Sequence, residues 1–333
     1  MNKTITIRNI ATEYEIVAEE ISEVIDSSHG DEDIRLVYII NKQYVLHCYS
    51  SNIISENFLQ EVNRLVKRHK DIGVWAPGLI AVKGTSNFLC ECEEDSKVYH
   101  CYMEELAPFG FMDEGKVDIY QAKENMLPFL GKLACKYSNF DLSETHSMWS
   151  IIDLSPFDVD IDEKQENINI LCDALNDKAL SERIRFLNDR ARNHIKKYYN
   201  LLPRCVFQGD LNPSNILIDD NNDFKGIIDF NMFGTDVNMN CFLNESMYYI
   251  EDKDFSLYSS SELLERMNDI QSKLMSRILE YYILNEVELA TYEDYRFIIN
   301  IGFYPNVMLM VKLLQEDAEK VLEFLTLICN QYS

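Results

Sequence analysis

The sequence predicts an α+β protein with two parts, a small one that combines a sheet with helices and a larger one that is mainly helical. Strand-like runs of β-branched and aromatic residues concentrate before residue 103. From residue 104 to residue 333 the apolar residues recur mostly at helical spacing, with one short strand-rich stretch at 206–230. We therefore expect a first part at 1–103 and a second part at 104–333.

The N-terminal part is predicted to alternate helices and strands. A first amphipathic helix is expected at 13–25. The runs 34–40 and 44–49 read as two strands joined by a tight turn. Ser55 is a good N-cap and opens a second helix, because the apolar residues after it follow the helical period. Further strands are expected at 79–82, 88–92 and 98–103.

The C-terminal part is predicted to be built from long helices. Pro128 and Pro305 lie inside two of them and should split or kink those helices, because proline lacks the N–H that a helix interior needs. The candidate helices are 119–137, 166–175, 180–200, 261–284 and 292–330.

The composition excludes several classes of partner. The chain has 333 residues and a formal net charge of −25, so general binding to nucleic acid or to an anionic membrane is not expected. The acidity is compatible with a positively charged substrate, and it also serves solubility alone. No apolar run reaches the length of a transmembrane helix, the first residues do not resemble a signal peptide, and the nine cysteines form no C-x-x-C pair. We expect a cytoplasmic protein with thiols in a reducing environment.

Two segments carry polar residues at the ends of short apolar runs. They read VFQGDLNPSNIL over 206–217 and GIIDFN over 226–231. These segments contain a carboxylate at Asp210, an amide at Asn215 and a second carboxylate at Asp229. Transfer of a phosphoryl group needs a residue that orients and deprotonates the acceptor hydroxyl, together with oxygen ligands for Mg²⁺. The three side chains are of the types that this chemistry requires.

The spacing of these residues suggests how they meet. The polar turn at 220–225 should join two strands, and a turn centred on its middle would place Asn215 beside Asp229 and Phe230. The amide and the carboxylate would then bind one Mg²⁺, which prefers oxygen ligands and keeps some of its waters. Asp210 follows the preceding strand and would face the acceptor as a base.

Simpler interpretations exist for each residue taken alone. Asp, Asn, Pro and Gly are ordinary loop residues, and many such loops have no chemical role. A calcium-binding EF-hand over 219–230 is excluded, because Phe224 and Phe230 stand where the loop needs glycine and glutamate. The conjunction of strands, turn and spacing is what favours the catalytic interpretation.

At these residues the chain resembles the aminoglycoside phosphotransferase and choline kinase family, small-molecule kinases that share the protein-kinase fold. The resemblance rests on QGDLNPSNIL and IIDFN and is specific over about 204–236. The catalytic loop of the family usually begins HGD, and here Gln208 replaces the histidine. The resemblance implies a two-lobed protein-kinase-like fold, with a small N-lobe over a larger helical C-lobe and the nucleotide between them.

The resemblance also implies roles for individual residues. Asp210 would be the catalytic base, and Asn215 and Asp229 would bind Mg²⁺. Asn212 and Ser214 would shape the loop or contact a phosphate. ATP or GTP would donate its γ-phosphate to a hydroxyl group of a small molecule.

Nucleotide-binding residues are harder to match. Kinases of this fold place a lysine on the third strand and pair it with a helix glutamate. His47 occupies the lysine position here, and Glu61 is the best candidate for the glutamate. An ordinary strand histidine and a solvated helix carboxylate are the alternatives for these two residues.

Two backbone segments complete the expected nucleotide site. Met103, Glu104, Glu105 and Leu106 follow the last strand of the N-terminal part, where the hinge of a kinase binds the edge of the adenine ring. No G-x-G-x-x-G motif is present, and the segment around Gly30 is a weak candidate for covering the phosphates or a plain surface loop.

The expected acceptor is a hydroxyl group of a small molecule, and the acidity of the chain is compatible with a positively charged one, aminoglycoside-like or choline-like. Sugars and amino alcohols stay open as well. Acidic residues after the metal-binding motif are candidates to bind the acceptor, or are ordinary surface charges. They are Asp236, Glu245, Glu251, Asp252 and Asp254.

Two rival functions are kept open by the sequence. A catalytically weakened relative that only binds nucleotide or ligand is favoured by His47 and Gln208 and opposed by Asp210, Asn215 and Asp229. A protein kinase is disfavoured, because no A-P-E-like segment or long activation loop follows Asp229.

Overall fold

The computed structural model describes residues 3–28, 33–51, 54–94, 97–112 and 118–332. It divides into two compact units, the first formed by Met1–Val117 and Asn212–Phe230, the second by Asp118–Leu211 and Asn231–Ser333. The predicted lobe boundary at residue 103 stays a prediction.

The elements in chain order are α1 Lys3–Glu13, β1 Ile21–Asp26, β2 Arg35–Ile40, β3 Tyr44–Tyr49, α2 Glu56–Asp71, β4 Leu79–Ile80, β5 Cys90–Glu94, β6 Lys97–Glu105, β7 Gly110–Phe111, α3 Ile119–Met126, α4 Pro128–Tyr137, α5 Glu163–Ala174, α6 Lys178–Tyr198, β8 Arg204–Phe207, β9 Ile216–Ile218, β10 Phe224–Ile227, β11 Gly234–Val237, α7 Asn238–Glu245, α8 Asp252–Leu257, α9 Ser260–Leu279, α10 Glu286–Gly302, α11 Tyr304–Leu313 and α12 Ala318–Gln331.

The first unit is organised around an antiparallel sheet. Its strand order is β1-β2-β3-β6-β4, and β5 also pairs with β6. Helix α1 contributes Ile7 and Ile10, and Tyr14 directly after it joins them, in an apolar cluster that includes Leu46 of β3 and Met103 of β6. The Tyr14 hydroxyl, which sits within this cluster, lies 2.8 Å from the carbonyl oxygen of residue 101 and can donate to it. The sheet and α1 therefore share one core.

The helix expected at 13–25 is wrong. Helix α1 ends at Glu13, and Ile21–Asp26 forms strand β1, which pairs antiparallel with β2. The run KTITIRNI contains β-branched residues that disfavour a helix, but burial of Ile7 and Ile10 against the sheet overrides that weak preference.

The other elements of the first unit confirm the sequence predictions. Strands β2 and β3 pair in register, with Tyr38 opposite Leu46. Helix α2 begins after Ser55, whose side-chain oxygen accepts the N–H of Phe58 at 3.2 Å. Strand β6 runs two residues beyond the predicted end, to Glu105. It extends this far because β3 and β4 pair with it on both sides.

The second unit is mainly helical, as expected. Pro128 begins α4 directly after α3, and Pro305 lies in the first turn of α11 after α10 has ended. A further break, at 314–317, separates α11 from α12. The two short strands β8 and β11 pair antiparallel inside this unit. Among the helices of the described residues, none is both long enough and apolar enough to cross a membrane.

Helix α10 lies at the centre of the second unit. It packs against α5, α6 and α7 and buries Phe297 and Ile298 completely. Burial of each such side chain stabilises the folded state by about 1.5–3 kcal/mol. This helical core supports the strand from which the segment of Asp210 emerges.

Candidate functional site

A hairpin in the first unit carries Asn215 and Asp229. Strands β9 and β10 pair with Ile216 opposite Ile227, and the N–H of Ile228 donates to the carbonyl oxygen of Asn215 at 3.0 Å. The expected register, with Asn215 beside Asp229 and Phe230, is therefore wrong by one residue. The reason is the position of the turn, because Ile218 pairs with Phe224 and the hairpin is therefore centred on residue 221 rather than on 222–223. The bulge between residues 224 and 226 moves the partner of Asn215 from 227 only to 228.

Asp229 follows this hairpin in an unusual backbone conformation. Its φ is +56°, in the left-handed region that Asp and Asn tolerate better than other non-glycine residues. Such strained positions cluster at functional sites. The Asp229 side chain is exposed, whereas Asn215 is buried. The exposed carboxylate of Asp229 thus lies one residue after Ile228, which faces the buried Asn215 across the hairpin.

These two side chains form a donor set that fits Mg²⁺. The ion needs few protein ligands, usually one or two carboxylates, and completes its octahedron with water and phosphate oxygens. The described parts of the chain contain no group of three or more His, Cys, Asp or Glu side chains able to enclose a metal ion. An amide oxygen and one carboxylate therefore suit an ion that arrives with a nucleotide better than a permanently caged metal.

His47 is held in a defined position on β3. Its Nε2 atom lies 3.0 Å from Oε1 of Glu104, and its ring stacks on Tyr102 with centroids 4.4 Å apart. Within the described structure its Nδ1 atom is buried and has no hydrogen-bond partner. When both ring nitrogens are protonated, this Nδ1 can donate to a ligand oxygen. Glu61, the expected partner of His47, instead lies 3.7 Å from Arg64 on its own helix.

The field of Asp229 reaches the aromatic residues around His47. Burial raises the pKa of Tyr49 and of Tyr102, and the carboxylates of Asp229 and Glu104 raise both further. The electrostatic influence of Asp229 thus extends to the part of the sheet that carries His47. A cation, such as a metal ion bound to a phosphate group, would be favoured in this negative field.

The expected hinge is part of the sheet. Met103 is fully buried in the apolar cluster, and Glu104 contacts His47. The N–H of Glu105 donates to Gly78 at 3.0 Å, and the N–H of Leu106 donates to Gln43 at 2.8 Å. A nucleotide base could use these two N–H groups only by breaking sheet hydrogen bonds. The nucleotide contacts of this segment stay a prediction, and Gly30 lies outside the described residues.

The loop that carries Asp210 begins after strand β8 in the second unit. Gln208 is almost completely buried, and its Oε1 accepts the backbone N–H of Asp210 at 2.7 Å. The indole Nε1–H of Trp149 donates to the carbonyl oxygen of Gly209 at 2.8 Å. The residue in the histidine position of the family motif therefore shapes the loop through a side-chain amide. Asp210 itself is half-buried.

Only glycine fits at position 209. Its φ is +87°, and a Cβ atom there would overlap the carbonyl oxygen of Met232. Gly84 also has a left-handed φ, of +70°, but nothing lies within 4 Å of its missing Cβ. The two glycines separate the cost of the backbone conformation from the cost of the close approach.

Gly209→Ala should therefore destabilise the protein more than Gly84→Ala. The backbone cost alone is about 1–2 kcal/mol for a left-handed residue, and Gly84→Ala should show only that. The clash with Met232 adds to this cost in Gly209→Ala and displaces the loop. Urea unfolding of both variants measures the difference, and equal losses of unfolding free energy would contradict the contact with Met232.

The acidic acceptor candidates differ in their surroundings. Two are paired with lysines, Glu251 with Lys253 at 2.8 Å and Asp252 with Lys312 at 2.6 Å. Asp254 is buried and accepts the hydroxyl of a tyrosine, so its role in the structure is local.

Glu245 is the candidate that interacts with Asp210. Burial raises the pKa of Glu245, Lys123 and Lys164 lower it, and the charge of Asp210 raises it. The Nζ atom of Lys123 donates to the backbone oxygen of Glu245 at 3.0 Å. Burial thus makes Glu245 ionise less readily than an exposed carboxyl group, and the two lysines oppose this effect.

Asp236 has a structural role. Its two carboxylate oxygens accept from Nδ2 of Asn240 at 3.0 and 2.9 Å, and one also accepts the N–H of Val237 at 2.7 Å. Burial raises the pKa of Asp236 to about 7, although these hydrogen bonds and Lys164 oppose the rise. The buried carboxyl group of Asp236 therefore ionises at a higher pH than an exposed aspartate does.

This shift predicts a pH-dependent stability that Asp236→Asn removes. A carboxyl group whose pKa is higher in the folded state stabilises the fold at low pH and loses that contribution as pH rises toward the folded pKa. From pH 5 to pH 8 the unfolding free energy of the variant should gain about 3 kcal/mol relative to wild type. Urea unfolding across this range measures the gap, and a gap that does not change with pH would contradict the raised pKa.

Sequence reasoning missed Trp149 and Lys164 as neighbours of the candidate site, and it predicted Glu104 as a hinge residue without its contact to His47. Trp149 lies 60 residues before Gly209, and neither Trp149 nor Lys164 belongs to a motif. Only the tertiary fold brings Trp149 to Gly209, and only strand pairing brings Glu104 to His47.

Comparison with known proteins places the chain beside other phosphotransferases in sequence and fold. The sequence model of the phosphotransferase enzyme family APH matches residues 121–237, which contain Asp210, Asn215 and Asp229. An amicoumacin kinase solved with AMP-PNP, Ca²⁺ and Ami aligns at 12% identity and a TM-score of 0.54, over 99% of this chain and 94% of that one. A microcompartment-associated aminopropanol kinase aligns at 10% identity and a TM-score of 0.53, over 99% and 96%. No curated protein matches significantly. The two structures confirm the kinase-like α+β fold, and the family match confirms the expected resemblance.

Proposed function

We propose that this chain, whose residues 121–237 match the phosphotransferase family model, catalyses the reaction of a small-molecule kinase. The chain is a phosphotransferase that acts on an alcohol group. Its donor is ATP or GTP, its divalent ion is Mg²⁺, and its acceptor is a small alcohol with positive charge. The observation that carries the proposal is the hairpin that presents Asn215 and Asp229 immediately after the loop of Asp210.

Three residues carry the chemistry in this proposal. Asp210 orients the acceptor hydroxyl and accepts its proton as the phosphoryl group is transferred. Asn215 and Asp229 would hold Mg²⁺, which, when bound, neutralises the charge of the phosphates. The hydrogen bond from Asp210 N–H to Gln208 fixes the backbone on which the base depends.

Other residues bind the nucleotide. His47 is proposed to contact a phosphate, and its buried Nδ1 supports this role because a bound oxygen would satisfy it. Ser214 lies exposed in the short 3₁₀ turn before Asn215 and can reach a phosphate oxygen. Glu61 and the segment of Met103, Glu104, Glu105 and Leu106 complete the proposed nucleotide contacts. A nucleotide analogue and Ca²⁺ are bound by one protein of the same fold, the amicoumacin kinase.

The proposed acceptor follows from charge. Asp210 places a carboxylate in the proposed catalytic loop, and the whole chain has a net charge of −25. An amine or quaternary ammonium group on the acceptor would be attracted there, whereas nucleic acid and anionic membrane would be repelled. All nine cysteines are free thiols, which supports action in the cytoplasm.

A weakened kinase that binds nucleotide without efficient turnover is the second candidate. His47 favours it, because an imidazole pairs with Glu104 at the position where a kinase has a permanently charged lysine. An experiment separates the two candidates, since an active kinase and a weakened kinase both bind nucleotide but only the active kinase transfers phosphate efficiently.

A screen of charged alcohols tests the proposal. The protein is incubated with Mg²⁺, ATP or GTP and a panel of aminoglycosides, choline-like amines, amino alcohols and neutral sugars, and phosphate on each acceptor is measured by ³¹P NMR. Transfer to a positively charged alcohol, absent in Asp210→Asn, supports the proposal. Thermal stabilisation by nucleotide with no transfer to any acceptor would favour the weakened kinase, and transfer only to a protein substrate would favour a protein kinase.

A further inference from the structure

Trp149 connects the loop of Asp210 to a buried charge. Its indole N–H donates to the carbonyl oxygen of Gly209 at 2.8 Å, and Gly209 directly precedes Asp210. The Nζ atom of Lys164 lies 4.9 Å from the centre of the Trp149 ring. We propose that Trp149 and Lys164 together position the loop of Asp210, so that the pair sets the direction of the catalytic carboxylate. This inference rests on the proposed role of Asp210 as the base.

Trp149 is itself fixed from several directions. Its backbone oxygen accepts from Nδ2 of Asn240 at 2.7 Å, and its backbone N–H donates to Oγ of Ser147 at 3.1 Å. Asn240 in turn binds the buried carboxylate of Asp236. These bonds hold the backbone of Trp149 in place, and the indole attached to it restrains the loop through the hydrogen bond to Gly209.

Lys164 is unusual because its side chain is fully buried. The relative exposure of Lys164 is 0%, and its nearest carboxylate oxygen, on Glu163, is 3.5 Å away. An ammonium group is costly to bury, and an ion pair as long as this one offsets only part of that cost. The face of the Trp149 ring offsets a further part, because the ring attracts a nearby cation electrostatically. The contact between Lys164 and the indole of Trp149 therefore stabilises the positions of both side chains.

The hydrogen bond to Gly209 acts at a sensitive point. Gly209 has a left-handed φ, and the next N–H, of Asp210, is already bound to Gln208. One hydrogen bond on each side of this peptide bond therefore defines its plane, and the plane sets where the Asp210 side chain points. A displacement of about 1 Å at a reacting group can cost roughly 100-fold in rate. Release of the carbonyl oxygen of Gly209 should consequently affect kcat more than nucleotide binding.

Two substitutions separate the parts of this arrangement. Trp149→Phe keeps an aromatic ring beside Lys164 and removes only the N–H that reaches Gly209. Lys164→Met keeps the length of the side chain and removes its charge, and Lys164→Arg restores the charge. A matched control is Lys132→Met, because Lys132 also lies over an aromatic ring, that of Tyr281 at 4.6 Å, but on helix α4.

We expect Trp149→Phe to lower kcat about 10- to 100-fold with little change in the KM for nucleotide. Lys164→Met should lower kcat in the same direction and by less, with partial recovery in Lys164→Arg. Lys132→Met should behave as wild type. Unchanged kcat in Trp149→Phe, on an acceptor that the wild type phosphorylates, would overturn the inference.

Hydrogen exchange tests the inference without any activity. Amides in a peptide covering 205–212 should exchange faster in Trp149→Phe and Lys164→Met than in wild type or in Lys132→Met. Peptides from helices α9 and α12 should keep their protection in all variants. Equal protection of 205–212 in every variant, or a uniform loss across the second unit, would show that the pair has only a general structural role. A wild type with no transferase activity would instead contradict the proposed function, and the exchange result would still decide the inference.

Discussion

Asp210→Asn should lower kcat for phosphate transfer by about 10²- to 10⁴-fold, the usual contribution of a general base. The asparagine side chain has nearly the same shape as aspartate but cannot accept the proton of the acceptor hydroxyl. The backbone N–H of residue 210 still reaches Gln208, so the loop should keep its conformation. The affinity for the nucleotide should remain close to that of wild type, because the proposed metal ligands are untouched.

Asp220→Asn is the matched control for this loss. Asp220 is exposed in the turn of the β9–β10 hairpin, and its substitution removes the same charge close by in the sequence. Turnover in the control should equal that of wild type. Wild-type turnover in Asp210→Asn would mean that another group accepts the proton.

Asp229→Asn should weaken binding of the Mg²⁺–nucleotide complex itself. Loss of residues that only support a metal ligand often costs about 10- to 100-fold in affinity, so loss of a ligand's charge should cost at least that much. The substitution should not damage the fold, since asparagine tolerates the left-handed φ of +56° that Asp229 adopts. Calorimetric titration with a non-hydrolysable nucleotide and Mg²⁺ measures the loss.

The comparison with Asp210→Asn makes this test specific. Asp229→Asn should lose affinity, and Asp210→Asn should lose turnover while keeping affinity. Asn215→Ala should resemble Asp229→Asn, because it removes the other proposed ligand. Nucleotide affinity that depends on Mg²⁺ equally in wild type and in Asp229→Asn would remove Asp229 from the metal site.

The parts of the fold that follow from local chemistry were predictable. The N-cap of Ser55, the helix boundaries at Pro128 and Pro305 and the strands β2 and β3 each depend on residues within a few positions. The hairpin after Asn215 belongs to the same class, because a polar turn between two apolar runs predicts it. The motif around Asp210 predicted the fold class for the same reason.

Features that depend on distant packing were not predictable. Helix α1 forms from a sequence with poor helix propensity because the sheet covers Ile7 and Ile10. The bulge in β10 lies beside Gly226, where a Cβ atom would overlap the backbone of Trp75, and that contact is remote in sequence. The engagement of the Glu105 and Leu106 N–H groups likewise depends on strands that are remote in sequence.

The candidate site shows the same division. Asp210, Asn215 and Asp229 are recognisable from spacing, but the partners that fix them are not. Glu104 reaches His47 through pairing of β3 with β6, and Trp149 reaches Gly209 from a loop with no regular period. The sequence therefore identifies the groups that would do the chemistry, and the fold identifies those that hold them in place.

Anomalous diffraction from crystals grown with Mn²⁺ and a non-hydrolysable nucleotide tests the metal assignment most directly. Mn²⁺ replaces Mg²⁺ at oxygen sites and gives a signal that locates the ion independently of the surrounding density. The account predicts a peak about 2.1–2.2 Å from the amide oxygen of Asn215 and from one carboxylate oxygen of Asp229. A nucleotide-bound ion coordinated by other side chains, with Asn215 and Asp229 away from it, would contradict the account.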